Sequence, residues 1–209
     1  MIYESGTLDT APTALPLSIG DPELSRMARS VVSVPEMFGY WLQGGWIRTG
    51  FLGAAQIDRF ASLNSTVIGD YRKPKVRFPG SGGANDFASF CWRTLMLTVH
   101  NARRFVNKVD FITSPGYLTG PGERERAGLP AGTGPYKIVT NLAVLGFDAE
   151  TKEMKLESLM PGVTVEEVKE NTEFDLLIPE SVPEVQEASG EELRVLREEV
   201  DPHRYIIGR

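Results

Sequence analysis

From Ile47 to Gln56 the apolar residues run continuously rather than alternating with polar ones, the pattern of a strand buried on both faces. Leu95-Met96-Leu97-Thr98-Val99 predicts a second such strand and Val109-Asp110-Phe111-Ile112 a third. Tyr136 to Leu145 and Met154 to Leu159 predict two more, joined through a turn at Asp148-Ala149-Glu150-Thr151, and Met1-Ile2-Tyr3 reads as a strand end running into Glu4-Ser5-Gly6. Helix starts are marked by their caps. Asp21 precedes Pro22, which suits the first helical position, and a second short helix follows Ser33-Val34-Pro35-Glu36 and ends near Gly44-Gly45. Thr164 with Glu167 three residues on has the form of a capping box, and a last helix starts near Ser189 and stops before Asp201-Pro202. Ser114 to Pro135, rich in Gly and Pro, reads as a long loop, and the acidic, proline-containing stretch Pro179 to Glu192 as a solvated connection.

Strands of this buried type among helices predict an α/β fold, a mostly parallel open sheet flanked by helices. At 209 residues the chain is long enough for one substantial domain, taken as residues 1–209. In such folds ligands gather at loops beyond the carboxyl ends of strands. Three loops qualify: Glu4-Ser5-Gly6, Gln56 to Asn64, and Gly80-Ser81-Gly82-Gly83-Ala84-Asn85-Asp86.

Composition narrows the chemistry. A hydrophobic share of 41% with 24% charged residues fits a soluble globular protein, and a net charge of −6 argues against a general nucleic-acid binder. The basic residues gather between Arg72 and Arg126, which leaves room for a local anion site, while acidic ones dominate after Glu150. A single cysteine, Cys91, between Phe90 and Trp92, allows no intrachain disulfide and reads as a small buried hydrophobe. No apolar run has the length of a membrane span and no signal-peptide pattern opens the chain, so the expectation is a cytoplasmic protein with neither membrane nor nucleic acid as partner. Two histidines, His100 and His203, give little material for a Ser-His-Asp triad or a histidine-rich metal site, and no metal ligands are assigned. His203 reads as a surface residue and His100 as a local hydrogen-bonding partner. The phosphate loop ending in Gly-Lys-Ser/Thr and the Gly-x-Gly-x-x-Gly fingerprint are both missing from the sequence, which disfavours nucleotide hydrolysis and nicotinamide chemistry.

The glycine loop at Gly80–Asp86 would let backbone amides approach a carbonyl or phosphate without side chains in the way, and the flanking Arg72-Lys73-Pro74-Lys75-Val76-Arg77 favours an anion; a plain tight turn is the other reading. Glu4 likewise has two readings. A carboxylate at a strand end beside Ser and Gly can be exposed in a cleft, where partial desolvation strengthens it as base or nucleophile; it can equally be a frayed terminal residue.

Taken together, Glu4-Ser5-Gly6, Gly53-Ala54-Ala55-Gln56-Ile57-Asp58, Leu63-Asn64-Ser65-Thr66-Val67-Ile68-Gly69-Asp70-Tyr71, Gly80-Ser81-Gly82-Gly83-Ala84-Asn85, Arg104-Phe105-Val106-Asn107-Lys108-Val109-Asp110, Thr113-Ser114-Pro115-Gly116-Tyr117 and Gly120-Pro121-Gly122-Glu123-Arg124-Glu125-Arg126 resemble the β subunit of a class I coenzyme A transferase, nearest to glutaconate CoA-transferase. The likeness extends through Pro161 to Thr172 and covers nearly the whole chain. It implies a CoA-transferase-like sheet fold, apparently without the family's first strand–helix unit, since the Glu-Ser-Gly motif here begins at residue 4.

The resemblance also implies the chemistry. The motif glutamate, matched by Glu4, attacks an acyl-CoA thioester to give a mixed anhydride and then a glutamyl-CoA thioester, from which a second carboxylic acid takes the CoA. Gly82 and Gly83 match the backbone-amide donor region for the oxyanion, with Asn64 a side-chain candidate, and Gly80, Ser81, Ala84, Asn85 and Gln56 are the candidates for holding CoA. Coenzyme A is then a substrate, with no permanently bound cofactor, and the partner is an α subunit in an α2β2 or similar assembly. Relatives that lose the glutamate act as decarboxylases or ring-opening hydrolases, and retention of Glu4 favours transfer. An acyl-CoA hydrolase or decarboxylase on the same scaffold and a non-catalytic CoA-binding partner subunit are the alternatives. Arg103, Arg104, Arg72, Lys73 and Lys75 are candidates for contacting CoA phosphates, with a solvated surface face as the bland reading, and local salt bridges are expected for Arg124 and Arg126 beside Glu123 and Glu125.

Overall fold

The computed structural model describes residues 1–208, which form two compact units. The first comprises Met1–Gly44 with residues 186–208, the second Gly45–Val185. In the first unit β1 (Thr7–Leu8) pairs antiparallel with β2 (Ser30–Val31). Two short helices carry the predicted caps. The carboxylate of Asp21 accepts the Glu23 N–H at the start of α1 (Pro22–Arg26; α1 lies between the two strands), and Ser33 caps α2 (Val34–Glu36) through the Glu36 N–H. The chain then widens over Met37–Leu42 into a looser helical pitch that buries Met37 and Leu42. At the other end of the sequence Ser189 and Glu192 complete a reciprocal capping box on the helix Gly190–Arg194.

The second unit begins with β3 (Thr49–Leu52), β4 (Gln56–Ile57), β5 (Leu63–Asn64), β6 (Val67–Gly69), β7 (Pro74–Arg77) and α3 (Ala84–Phe90). It continues through β8 (Arg93–Leu97), the single turn α4 (Glu123–Arg126), β9 (Pro135–Val139), β10 (Ala143–Phe147), β11 (Met154–Leu159) and α5 (Val165–Glu170). A five-stranded sheet in the order β11-β10-β9-β8-β3 is its centre. The expected parallel order holds for β3 with β8 and β8 with β9, and the sheet then turns antiparallel through β10 and β11, so it is mixed rather than mostly parallel.

The reason lies in one threonine. The run Tyr136–Leu145 is not one strand but two, because the Thr140 hydroxyl accepts the N–H groups of both Leu142 and Ala143 and folds the backbone into a hairpin. The third predicted strand, Val109–Ile112, is a loop. Its Asp110 is held by side-chain bonds to other segments instead of by a ladder. The predicted Ile47–Gln56 strand bends at Gly53-Ala54-Ala55 and splits into β3 and β4.

Met96, Ile138, Leu145 and Leu156 from the sheet meet Ile57 and Phe105 in a continuous core. Gly50 lets α3 lie close on the sheet: a Cβ there would come 2.9 Å from the Cys91 sulfur and 3.2 Å from the Phe87 ring. Cys91 is buried, and burial pushes its thiol up to about 12. The stretch after α5 does more than connect. Leu156 and Leu159 donate their N–H groups to Leu177 and Pro183, and Val185 donates back to Leu159, so this segment covers the outer edge of β11. Among the described residues no helix is long and apolar enough to cross a membrane.

Candidate active site

Glu4 sits in a closed turn of the first unit. The Gly6 N–H donates to the Tyr3 carbonyl and the Tyr3 N–H to the Thr7 carbonyl, both at 3.0 Å, which fixes the chain on either side of the half-buried glutamate. Gly6 makes the turn possible. Its φ is 101°, and a Cβ at that position would fall 2.2 Å from the carbonyl oxygen of Val32, whose own N–H donates to Gly6. Glu4 is therefore held by backbone bonds and does not fray.

In the second unit the glycine loop is equally tied down. Gly80, at φ 99°, donates its N–H to the Ser65 carbonyl while the Ser65 hydroxyl donates to the Gly80 carbonyl. The Ser81 hydroxyl accepts the Asn85 N–H and the Ser81 carbonyl the Ala84 N–H. Gly82, at φ 51°, is exposed, and Gly83 stands at the start of α3. The Asn85 side chain donates to the Thr113 carbonyl, and the Thr113 hydroxyl accepts the Ser65 N–H, joining the loop to the 113–114 segment from behind.

Asn64 and Gln56 meet each other. Asn64 is fully buried; its Oδ1 accepts the N–H groups of Thr66 and Val67, and its Nδ2 donates to the Val67 carbonyl at 2.6 Å and to Gln56 Oε1 at 2.7 Å. Gln56 Oε1 also accepts the Asp110 N–H, and Gln56 Nε2 donates to the Asp110 carboxylate, which accepts the Gly69 N–H as well. All the hydrogen-bonding capacity of Asn64 is used inside the protein. These two candidates thus bind β4, β5 and the Asp110 loop into one unit, with Ser65 beside them holding Gly80.

Ser65, Thr113 and Asp110 are site-building residues that their sequence positions alone did not mark as such. Each sits inside a motif, but the contacts join segments roughly fifty positions apart, and no local pattern records that. Asp58, the last residue of the Gly53–Asp58 motif, accepts the N–H groups of Phe60 and Ser62, and burial pushes its carboxyl above the ordinary value.

The basic residues divide into three groups. Arg72, Lys73 and Lys75 are exposed on the β6–β7 hairpin, where the Asp70 carboxylate accepts the backbone N–H groups of Arg72 and Lys73. Arg103 and Arg104 line a separate cleft with Lys108. In the long loop Arg126 makes the expected ion pair with Glu123, but Arg124 does not pair locally: it is buried and donates to the carbonyls of Ala88, Ser89, Pro115 and Gly116 and to the Thr133 hydroxyl. Burial without a carboxylate lowers its pKa, the five acceptors notwithstanding. His203 is exposed, as expected.

The second unit carries a glycine loop tied to Ser65 and leading into α3, and the first a carboxylate held in a glycine-dependent turn. The chain belongs to the coenzyme A transferase family, whose model matches residues 1–171. It is 49% identical over 197 residues to the B-type subunit of the 3-oxoadipate CoA-transferase of Pseudomonas knackmussii, covering 94% of this chain and 75% of that protein. It is 40% identical over 211 residues to the B-type subunit of the glutaconate CoA-transferase of Acidaminococcus fermentans, covering 99% and 79%. The crystal structure of glutaconate coenzyme A-transferase from Acidaminococcus fermentans superposes with a TM-score of 0.94, over 100% of this chain and 81% of that one.

Proposed function

We propose that this chain is the B-type subunit of a heteromeric coenzyme A transferase that moves CoA between an acyl-CoA and a short dicarboxylic acid, with Glu4 as covalent nucleophile. The observation that carries the reading is the Glu4 turn: a carboxylate fixed by backbone bonds and by a glycine that no other residue can replace, in a chain of this family. The two relatives described above are named for 3-oxoadipate and glutaconate, both dicarboxylates, which supports the substrate class.

In the reaction a Glu4 carboxylate oxygen attacks the thioester carbon and CoA leaves as the thiolate. The thiolate then attacks the Glu4 side of the resulting anhydride, the acyl group departs as a free carboxylate, and glutamyl-CoA remains. The acceptor carboxylate reverses these two steps. Each tetrahedral intermediate carries an oxyanion that preorganised donors must stabilise; removal of one such donor costs about 3–4 kcal/mol of transition-state stabilisation in well-studied enzymes. Asn64 and Gln56, with their capacity spent on each other and on Asp110, support the glycine loop rather than bind the ligand. Ser81, Ala84 and Asn85 present the loop, and an A-type partner chain, in an α2β2 or similar complex, completes the site.

The test is mass spectrometry of the chain co-purified with its partner and incubated with glutaryl-CoA. A CoA adduct on the peptide containing Glu4, and its loss together with exchange in Glu4→Ala, is the expected result. Full exchange by Glu4→Ala overturns the mechanism, and release of free CoA without transfer to added dicarboxylate overturns transfer in favour of hydrolysis.

A further inference from the structure

The hairpin formed by β6 and β7 is a basic projection from an acidic chain. From Asp70 to Arg77 it carries Arg72, Lys73, Lys75 and Arg77 against a single carboxylate, while the whole protein has a net charge of −6. Among the described residues none of these four cations has a carboxylate within ion-pair distance. Lys75, Val76 and Arg77 follow one another in β7 and all are exposed, so both faces of that strand are open to solvent. A lone two-stranded ribbon is marginal in water, yet this one is braced. Tyr71 stacks on Phe111, with ring centroids 5.3 Å apart and planes 23° from parallel. The Arg77 guanidinium lies 4.7 Å over the Tyr71 ring and donates to the Tyr71 carbonyl, and the Asp110 carboxylate accepts the Gly69 N–H. Ser65, just before β6, exchanges hydrogen bonds with Gly80, just after β7, so the hairpin flanks the glycine loop.

We propose that this hairpin is a docking surface for the A-type partner chain, which meets Tyr71 with an apolar hollow and the surrounding cations with carboxylates. The proposal rests on the heteromeric reading for the identity of the partner. Three observations favour a protein over a small anion. Tyr71, Val76 and Ile112 are 55%, 46% and 49% exposed, and an aromatic and aliphatic centre among charges is the anatomy of a protein interface. Arg77 is committed to Tyr71, so it reinforces an aromatic anchor instead of standing ready for a phosphate. The stack is already ordered, which leaves little side-chain entropy to lose on association. Charge then selects the partner. A second copy of this chain docking hairpin to hairpin would set four cations against four, whereas an acidic surface complements them. A chain that completes a site at the glycine loop must also approach alongside this hairpin.

Sedimentation of the co-purified complex over a dilution series reads association without requiring transfer. Tyr71→Ala should weaken the complex roughly thirtyfold, the loss expected when a central interface aromatic is truncated, while Tyr71→Phe keeps the stack and the affinity. Lys73→Glu and Lys75→Glu should each slow association roughly three- to tenfold at low salt and much less at high salt. Both lysines are exposed, so these two variants test the surface even if Tyr71→Ala disturbs the hairpin. In hydrogen exchange the amides of β7 should be slower in the assembled complex than after dissociation. Equal affinity and association rate in wild type and all variants overturn the proposal. So does a raised KM for acyl-CoA with association unchanged, which makes the hairpin a ligand contact, and so does Tyr71-dependent pairing of this chain with itself. A complex that depends on Tyr71 and the lysines yet exchanges no CoA leaves the surface standing while the transferase reading falls; full exchange in a complex indifferent to them does the reverse.

Discussion

His100 makes this fold sensitive to acid. The imidazole is buried, stacked on Phe105 with ring centroids 3.9 Å apart, and bonded through Nδ1 to the Thr140 hydroxyl at 3.2 Å and through Nε2 to the Thr172 hydroxyl at 3.0 Å. The Thr140 hydroxyl accepts two backbone N–H groups and donates to the Ala143 carbonyl at 3.0 Å, while the Thr172 hydroxyl donates to the Val168 carbonyl and so accepts from Nε2–H. That arrangement fits the neutral ring with its proton on Nε2, and a second ring proton has no acceptor. Burial accordingly lowers the pKa to about 4 from an ordinary 6.5. The folded value lies below the unfolded one, so the contribution of neutral His100 to stability is whole above pH 6.5 and is lost as pH falls toward 4. That lowering corresponds to a contribution on the order of 3 kcal/mol. Chemical denaturation at intervals from pH 7.5 to 4, on the wild type and on His100→Gln, measures it: the stability difference between the two should shrink by about that amount across the window. Parallel loss in both proteins, or a His100 titration by NMR at pH 6 or above, refutes the argument.

Gly6→Ala forces a side chain to φ 101° and against the Val32 carbonyl; it should cost about 1–3 kcal/mol and open the Glu4 turn, so CoA exchange by the complex should fall far more than the melting temperature does. Asn64→Ala strips partners from Thr66, Val67 and Gln56 in a dry setting, and thermal unfolding should show a loss of about 2–3 kcal/mol; a change below about 0.5 kcal/mol means those bonds are replaced by water. Cys91, with its thiol pushed up to about 12, should resist iodoacetamide at pH 8 in the native protein and react fully in denaturant, which intact-mass measurement reads directly.

How far the sequence revealed this molecule depended on the range of the interactions involved. Caps act within three residues, so Asp21, Ser33, Thr164 and Ser189 were all legible, and Met154–Leu159 matched its apolar pattern residue for residue. The failures came where a side chain overruled the backbone pattern. Thr140 cut a long apolar run into a hairpin, and Asp110, captured by Gln56 from 54 positions away, took Val109–Ile112 out of any ladder. The site divides the same way. The glycine loop was marked by its residue types and Glu4 by the family resemblance, whereas the inward commitment of Asn64 and Gln56 was not legible, because each was read against a ligand and they bond to each other.

Arg124 binds three stretches of chain with one guanidinium: the end of α3 through Ala88 and Ser89, the 115–116 carbonyls, and Thr133. The Gly- and Pro-rich segment from Ser114 to Pro135 has one helical turn of its own, and Arg124 is a main tie between its two ends, beside the Tyr117 hydroxyl on the Pro135 carbonyl and the Ser114 and Tyr117 backbone bonds to Leu63 and Phe60. Those acceptors converge only with α3 docked, so the segment is expected to open together with the undocking of α3. The long loop is thereby the fuse of the second unit: a protease that catches the protein in partial opening will cut there first, while the five-stranded sheet is still intact.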